Sequence, residues 1–318
     1  MSILMVDDRR RILVLGAGDG WHSNQLKAAV AMDRRYELTF CQYESLFASV
    51  GRSARMSLGC NSYSPSALPL DSFDAVLART MPAGSLEKIT LRLSVLHALA
   101  AVSVPVINSP RGLELAIDKF STLAYAERLG YDTPETLVVQ SRAEAMTCFD
   151  HLGGDCVVKP IFGGEGRGVM RIRDRELAWT VFSSLDQMDA VFYIQAFVPP
   201  GGHDTRLLVI GDHVIAASRE NKDDFRTNHA HGAKTRLVEP TREQTEMAKR
   251  LTTSMGLTIA AVDMIDSLDG SPKVLEVNAV PGWKGIQQVC ETNIAAGIIQ
   301  TISEQMNVAK NERKVSEP

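Results

Sequence analysis

No apolar run in this 318-residue chain approaches the roughly 20 residues that a membrane-spanning helix needs, so no membrane is expected as a partner. The stretch from Met1 to Arg11 carries acids and lacks a small-residue cleavage site behind a hydrophobic region. No secretory signal is expected from it, and the cytoplasm is the expected location. Cysteine is scarce and scattered: Cys41, Cys60, Cys148, Cys156 and Cys290 are odd in number and include no C-x-x-C pair. That spacing argues against a disulfide framework or a zinc site and leaves buried or half-buried thiols. Charge of one sign is lacking too, with 34 Lys and Arg against 38 Asp and Glu and a net charge of -4, so nothing attracts nucleic acid in bulk. There is no internal repeat and no low-complexity segment. Several phosphate motifs are missing as well. No G-x-x-x-x-G-K-[ST] occurs, and neither His-Arg-Asp nor Asp-Phe-Gly is present. Gly16-Ala17-Gly18-Asp19-Gly20 stops short of G-x-G-x-x-G because Trp21 holds the last place. It reads as a tight turn between strand and helix, and only weakly as a nucleotide site.

What is present is ordinary globular material, 45% hydrophobic and 23% charged, of a length that suits two or three domains. The run Ile12 to Leu15, the glycine turn and the helix-compatible Asn24 to Val30 open a parallel α/β unit. Further strands are expected at Tyr36 to Phe40, Phe73 to Ala78 and Val102 to Ile107, with a helix from Leu86 to Ala101 and a loop from Ser57 to Leu70. Arg79 follows the third strand. Open α/β sheets bind ligands at the carboxyl ends of their strands, so Arg79 is a candidate for holding an anionic substrate, with a surface salt bridge as the alternative. The first domain ends near Asn108-Ser109-Pro110, and Arg111 to Leu129 reads as one amphipathic helix.

Two later stretches carry chemistry. Cys156-Val157-Val158-Lys159-Pro160 places a lysine in an otherwise apolar strand, where it needs an anionic partner. Gly163-Gly164-Glu165-Gly166-Arg167-Gly168 follows, and glycines let backbone N–H groups converge on phosphate oxygens. Together they suggest a hairpin lid over a triphosphate; a purely structural turn is the alternative. The second stretch runs from Val262 to Gly282. Two β-branched runs flank a polar turn, with Asp263 in the first and Glu276 and Asn278 in the second. Residues two apart on a strand share a face, so one face offers two carboxylates and an amide. Burying carboxylates without a cation is costly, and hard oxygen ligands suit Mg²⁺. A solvated face with incidental acids is the bland alternative. Between these stretches Phe192 to Val198 is an apolar strand whose end can offer backbone groups to an adenine edge. Asp204 to Arg219 alternates like a hairpin turning at Gly211-Asp212. Arg226 and Asn228 can reach phosphate, and His229 and His231 could pair on a metal but lack a third ligand nearby. A helix is expected over 241–255, with Met247, Leu251 and Met255 inward, and a closing helix over 294–302.

The ordered set Asp118-Lys119-Phe120, Val157-Val158-Lys159-Pro160, the 163–168 glycine loop, Asp204-Thr205-Arg206, Asp224-Phe225-Arg226-Thr227-Asn228, Val262-Asp263 and Glu276-Val277-Asn278-Ala279-Val280-Pro281-Gly282 resembles the ATP-grasp superfamily, and within it the RimK-like ligases. The resemblance covers roughly residues 70–305. It implies an α/β and α+β protein with the ATP-grasp fold: an N-terminal Rossmann-like (pre-ATP-grasp) domain over 1–108, a central lobe with the Gly-rich lid over 109–195, a C-terminal lobe with the Mg site over 196–306, and a flexible tail over 307–318. Carried over by position, it implies that Lys119 and Lys159 reach the ATP phosphates and that the loop with Gly164, Gly166 and Gly168 covers them. Ala196 and Phe197 become the adenine hinge, Asp204 a nucleoside contact, and Arg226 and Asn228 triphosphate-side ligands. Asp263, Glu276 and Asn278 become ligands of Mg²⁺ or Mn²⁺, with two ions expected. Family members often have an acid where Ala196 stands, so a side-chain contact is lost there. The Arg that RimK itself shows near His229-Ala230-His231 is also missing, which leaves acceptor recognition open.

The activity so implied is ATP-dependent joining of a carboxylate to an amine through an acylphosphate. The amine would come from an amino acid, glutamate by family precedent, and the acceptor would be a coenzyme or a protein tail. Repulsion between acceptor and γ-phosphate is offset by Mg²⁺, Lys159 and Arg226. Arg206 and Arg219 are candidates for the acylphosphate or a substrate carboxylate, since guanidinium forks suit such groups. Trp283 and Lys284 can shape the amine pocket, with core packing the alternative for Trp283. A small-molecule kinase on the same scaffold and a nucleotide-binding regulatory protein without turnover are the rival readings. Homo-oligomer formation is left open.

Overall fold

The computed structural model describes residues 9–51, 56–61, 67–228, 232–268 and 270–316. His229 and His231 lie outside them. The chain divides into two compact units: Met1–Glu114 with Gly256–Ile259 and Val280–Pro318, and Leu115–Met255 with Ala260–Ala279.

The first unit is built on a four-stranded parallel sheet ordered Tyr36–Cys41, Arg10–Leu15, Ala75–Ala78, Val106–Ile107. The two middle strands are continuous hydrophobic runs because helices cover both faces of such sheets; Ile12 to Leu15 and Ala75 to Ala78 are all buried. Helix Trp21–Met32 follows the glycine turn and packs against helix Ile294–Ser316. Helix Leu86–Ala101 starts at Ser85, whose side chain accepts from the Lys88 N–H. Asn108 pins the short segment Gly256–Ile259 into this unit. Its amide donates to the Ile259 carbonyl at 2.7 Å and accepts from the Thr258 and Ile259 N–H groups at 2.7 and 2.8 Å.

Three expectations need correction in this unit. The stretch 57–70 is not a plain loop: Ser57–Cys60 pairs antiparallel with Phe47–Ser49 and with Leu68–Pro69, which buries Leu58 and Cys60 where the polar composition hid them. The strand expected over 102–107 shrinks to Val106–Ile107, because Val102 and Ser103 form the end of the preceding helix, with Ser103 at φ 63°. The closing helix continues to Ser316 through most of the stretch expected as a tail, as good helix formers such as Glu304, Gln305, Met306 and Ala309 allow.

The second unit carries two sheets. One is antiparallel, ordered Met170–Ile172, Cys156–Lys159, Phe192–Ala196, Thr136–Val139, and is backed by helices Arg142–His151 and Arg175–Gln187 over a core of Phe149, Phe182, Phe192 and Ile194. The other is ordered Lys234–Val238, His213–Glu220, His203–Ile210, Ile259–Asp266, Pro272–Asn278. Its first hairpin turns at Gly211-Asp212, as the alternation predicts. Helix Arg242–Ser254 backs this sheet with Met247 and Leu251 buried, and starts in a capping box between Thr241 and Gln244. The single helix expected over 111–129 is two helices, Pro110–Ile117 and Lys119–Arg128. Asp118 breaks it. Asp118 is extended and its carboxylate caps the second helix by accepting from the Phe120 N–H at 2.8 Å, the competition with helix that short polar side chains offer.

Candidate functional site

A cleft within the second unit draws its walls from both sheets. Its lining includes Lys119, Lys159, Gly164, Gly166, Ala196, Phe197, Asp204, Arg219, Arg226, Asn228, Asp263 and Glu276. Most of the residues singled out from sequence therefore meet in one place. Gly168, Arg206 and Asn278 stand outside the lining itself.

Strand Cys156–Lys159 delivers Lys159, and the glycine loop that follows returns antiparallel through Met170–Ile172, so the segment is a hairpin. Glycine is needed in it. Gly168 sits at φ 72°, and a Cβ there would lie 2.8 Å from the Pro160 ring. Lys119, the first residue of its helix, donates to the Gly163 carbonyl at 2.7 Å and ties down the start of the loop. Lys159 donates to Gln195 Oε1 at 2.6 Å, and Gln195 in turn donates to Thr136 Oγ1 at 2.8 Å. Burial pushes the Lys159 ammonium down to about 8; Lys119 adds to this, while Glu276 and Asp263 oppose it. Burial lowers Lys119 as well, against Glu276 and Asp118.

Facing the lysines is the acidic hairpin. Ile259–Asp266 and Pro272–Asn278 pair so that Asp263 stands directly across from Glu276, which puts both on one face, with Asn278 two residues further along it. Asp263 is buried and accepts a fork from Arg206, Nε to Oδ1 at 2.7 Å and NH2 to Oδ2 at 2.6 Å, plus a bond from Arg219 NH2 at 2.9 Å. Arg219 also forks onto Asp204, whose Oδ2 takes a further bond from Thr227 Oγ1 at 2.5 Å. Burial would raise the Asp263 carboxyl, but Arg206 and Arg219 overcome it and hold it well below the usual carboxylate range. Glu276 differs. Its carboxyl is raised, first by burial and then by Asp263, despite Lys159, Arg206 and Lys119 nearby. Among the described residues its side chain makes no hydrogen bond and no ion pair.

The two arginines assigned to substrate thus spend their forks on Asp204 and Asp263, and among the described residues the NH1 group of each has no acceptor. Arg226 lines the cleft while its fork lies on Asp224, NH2 to Oδ2 at 2.6 Å. At the hinge, the Ala196 N–H donates to Glu135 O and the Phe197 N–H to Asp155 O at 3.3 Å. The next amide, Val198, lines the cleft without a hydrogen bond among the described residues. Below it, Arg171 holds Asp155 in a fork and places its guanidinium 3.2 Å from the Phe197 ring centre. Trp283 belongs to the first unit, is wholly buried, and packs there; Lys284 is exposed. Gln195 is not singled out in the sequence, and Thr227 stands within its motif but is given no role. The signal for Gln195 was available, since it is the polar member of an apolar strand and is 2% exposed.

The sequence matches the RimK-like ATP-grasp domain over residues 116–302. The chain belongs to that family. Relatives include a tetrahydromethanopterin:alpha-L-glutamate ligase of Methanocaldococcus jannaschii, 35% identical over 206 residues that span 63% of this chain and 70% of the relative. A probable alpha-L-glutamate ligase of Legionella pneumophila is 32% identical over 251 residues, 77% of this chain and 81% of the relative. In fold the chain is similar to the ATP-grasp ligase PsnB complexed with minimal precursor, at a TM-score of 0.70 and 21% identity over 92% of this chain and 98% of that one. The same ligase with minimal precursor, Mg and ADP matches at 0.67 and 20% identity, over 93% and 98%. The α/β and α+β ATP-grasp architecture is therefore the fold. As a RimK-like member the chain is an ADP-forming ligase that uses ATP to join a carboxylate to an amine.

The residues fit the divalent ion that this family uses. Among the described residues no three His, Cys, Asp or Glu side chains cluster as a metal cage. Asp263, Glu276 and Asn278 instead offer two carboxylates and an amide on one face, and among the described residues Glu276 has no hydrogen-bond or ion-pair partner. Such a partial oxygen set suits an ion shared with phosphate oxygens and water.

Proposed function

We propose that this RimK-like ligase attaches an amino acid, glutamate, to the carboxylate of a small coenzyme or of a protein or peptide tail, in the cytoplasm. The observation that carries the reading is the charge arrangement of one cleft: Lys159, positioned by Gln195, opposite a Glu276 carboxylate that lacks a partner of its own. The names of the relatives support glutamate as the incoming amine. Lobes at 109–195 and 196–306 clasp the nucleotide, after a Rossmann-like domain at 1–108.

In this reading Lys119 and Lys159 hold the phosphates, and the loop with Gly164, Gly166 and Gly168 closes over them. Asp204 contacts the nucleoside, the backbone at Ala196 and Phe197 with the free Val198 N–H takes the adenine edge, and Arg226 and Asn228 reach the triphosphate. Asp263, Glu276 and Asn278 hold the divalent ions, two in number. Bound Mg²⁺ supplies neutralisation of phosphate charge. The acceptor carboxylate oxygen attacks the γ-phosphorus, and the bond to ADP breaks with its electron pair leaving on ADP. The neutral amine nitrogen then attacks the acyl carbon, the C–O bond to phosphate breaks with its electron pair leaving on phosphate, and the nitrogen releases one proton to the leaving phosphate or water while keeping the other as the amide N–H. Lys159, desolvated and fixed, stabilises the charge that develops on the transferring phosphoryl group; Arg219, which lines the cleft, would offer its remaining edge to the acyl side, with Arg206 behind it on Asp263.

The test is ADP release assayed against pairs of acids and amino acids, with mass analysis of the product. Release that requires both partners and yields the amide mass supports the reading. ADP formed with an acid alone and a stable phosphorylated product would establish the kinase alternative.

A further inference from the structure

In the first unit a cation, Arg79, stands without an ion-pair partner among the described residues. The sheet there is entered at Arg10–Leu15, whose successor lies on one side while Ala75–Ala78 lies on the other. The carboxyl ends of these two strands therefore form the switch point at which open α/β sheets bind ligands. Gly16 leaves the first strand and Arg79 the second, close enough that a Cβ on Gly16 would lie 3.3 Å from the Arg79 Cβ.

The Arg79 guanidinium is fixed but not neutralised. It donates to the Pro281 carbonyl at 3.1 Å and lies 4.7 Å above the ring of Trp283. Trp283 is itself wholly buried, with its backbone N–H on His22 Nε2 at 3.2 Å. The described residues provide Arg79 with no ion pair; Asp19, exposed in the adjoining turn, makes none with it. Burial pushes Arg79 down to about 10, against Tyr43. An arginine held in this way is an incomplete pair.

The adjoining turn carries one acid, Asp19, which is exposed, beside a row of backbone donors. The N–H groups of Ala17, Gly18, Asp19 and Gly20 have no acceptor among the described residues. Helix Trp21–Met32 begins there with a side-chainless N-cap and no acid in its first turn. Lys27 adds a positive charge by donating to the Gly18 carbonyl at 2.6 Å. A planar oxyanion is the ligand that suits a guanidinium edge, and backbone amides at the start of a helix suit the same charge.

We propose that this crevice is a carboxylate-binding subsite anchored by Arg79, which takes a carboxylate of the amino acid or of the acceptor other than the one being activated. Assigning the ligand to a substrate rests on the ligase reading above; the subsite itself does not.

The experiment titrates the full chain, without nucleotide, with glutarate, L-glutamate and inorganic phosphate, following the fluorescence of the tryptophans. Trp283 touches Arg79, and Trp21 lies 6.4 Å from Trp283. Saturable glutarate or glutamate binding that weakens about tenfold or more in Arg79→Met, with an unchanged or raised melting temperature, is the expected result. Equal affinity in Arg79→Met overturns the subsite, and so does binding of phosphate alone. If Arg79→Met does not fold, Arg79→Lys carries the test: the charge stays and the fork is lost, so binding weakens several-fold, and equal affinity overturns the proposal. In turnover, Arg79→Met raises KM for one carboxylate substrate and leaves KM for ATP unchanged. Arg79-dependent glutarate binding in a chain that never turns over glutamate would retain the subsite and remove glutamate from the functional reading.

Discussion

Asp263 and Glu276 face each other across one hairpin, yet amide substitution of the two should have opposite effects on stability. Asp263→Asn replaces one carboxylate oxygen with an NH2 group and turns a donor toward guanidinium donors that sat at 2.6 to 2.9 Å. Arg206 and Arg219 are then left half-paired in a buried site, a change that typically costs about 3–5 kcal/mol. At about 2–4 °C per kcal/mol for units of this size, the melting temperature should fall by roughly 6–20 °C. Glu276→Gln breaks no hydrogen bond or ion pair, and the raised carboxyl shows that the surroundings oppose its charge. Its melting temperature should hold or rise. Adding Mg²⁺ with a non-hydrolysable ATP analogue at about 100 times Kd should stabilise the natural chain by about 2.7 kcal/mol, and Glu276→Gln by far less. Differential scanning fluorimetry with and without the metal–nucleotide reads all four values. If Glu276→Gln melts as low as Asp263→Asn, or gains as much from Mg²⁺ and nucleotide as the natural chain, Glu276 is not waiting for a cation and the site assignment fails.

Lys159 ionises near 8 in the folded chain against an ordinary 10.5, so the fold gains stability as pH rises through that interval. Nucleotide affinity should fall over the same interval, while in Lys159→Arg the fall should be absent; calorimetric titration at pH 7 and 9 checks both. Gly168→Ala forces a side chain into a left-handed position against Pro160, so nucleotide affinity should drop about tenfold with little change in global melting, since about 1–2 kcal/mol of strain falls on the loop. Asn108→Ala leaves two amide donors and one carbonyl of residues 258 and 259 unmatched, and should destabilise the first unit by about 2–4 kcal/mol in urea unfolding.

The cleft was legible in sequence where one residue type at one spacing implies one chemistry. A lysine closing an apolar strand, glycines behind it, and acids at opposed positions of a β-branched hairpin all remain in place in the fold. Long-range partners were not legible. Arg206 and Arg219 look like free forks in a linear reading; the antiparallel register sets Arg219 across from Asp204, and the order of the sheet makes the strand of Arg206 the neighbour of the strand of Asp263. The break at Asp118 was hidden for a related reason. The apolar spacing of 111–129 continues through it, and the helix stops because a carboxylate prefers capping its successor to staying helical. Conversely, the strands inside 57–70 lack the alternation that announces a strand, because each is short and depends on its neighbours for pairing.

The charges of the cleft bear on the number of ions. Lys119, Lys159, Arg206 and Arg219 are four cations, and Asp204, Asp263 and Glu276 are three anions, so these groups sum to +1, with Arg226 and Asp224 cancelling. A nucleoside triphosphate brings about -4 and the acceptor carboxylate -1, which leaves the loaded cleft near -4. One divalent ion brings it to about -2 and two bring it to about 0, a balance a desolvated site strongly favours. Asp263 cannot supply this compensation in reverse by taking up a proton, because its arginines keep it ionised. Burial raises both Asp204 and Glu276, but Asp204 is paired with Arg219 and Thr227, whereas Glu276 has no hydrogen bond or ion pair among the described residues; it stands beside Asp263 on the face where an ion would be shared with the phosphates. On the reading proposed above, the same arginines that neutralise Asp263 would leave the second acid of the hairpin to the metal.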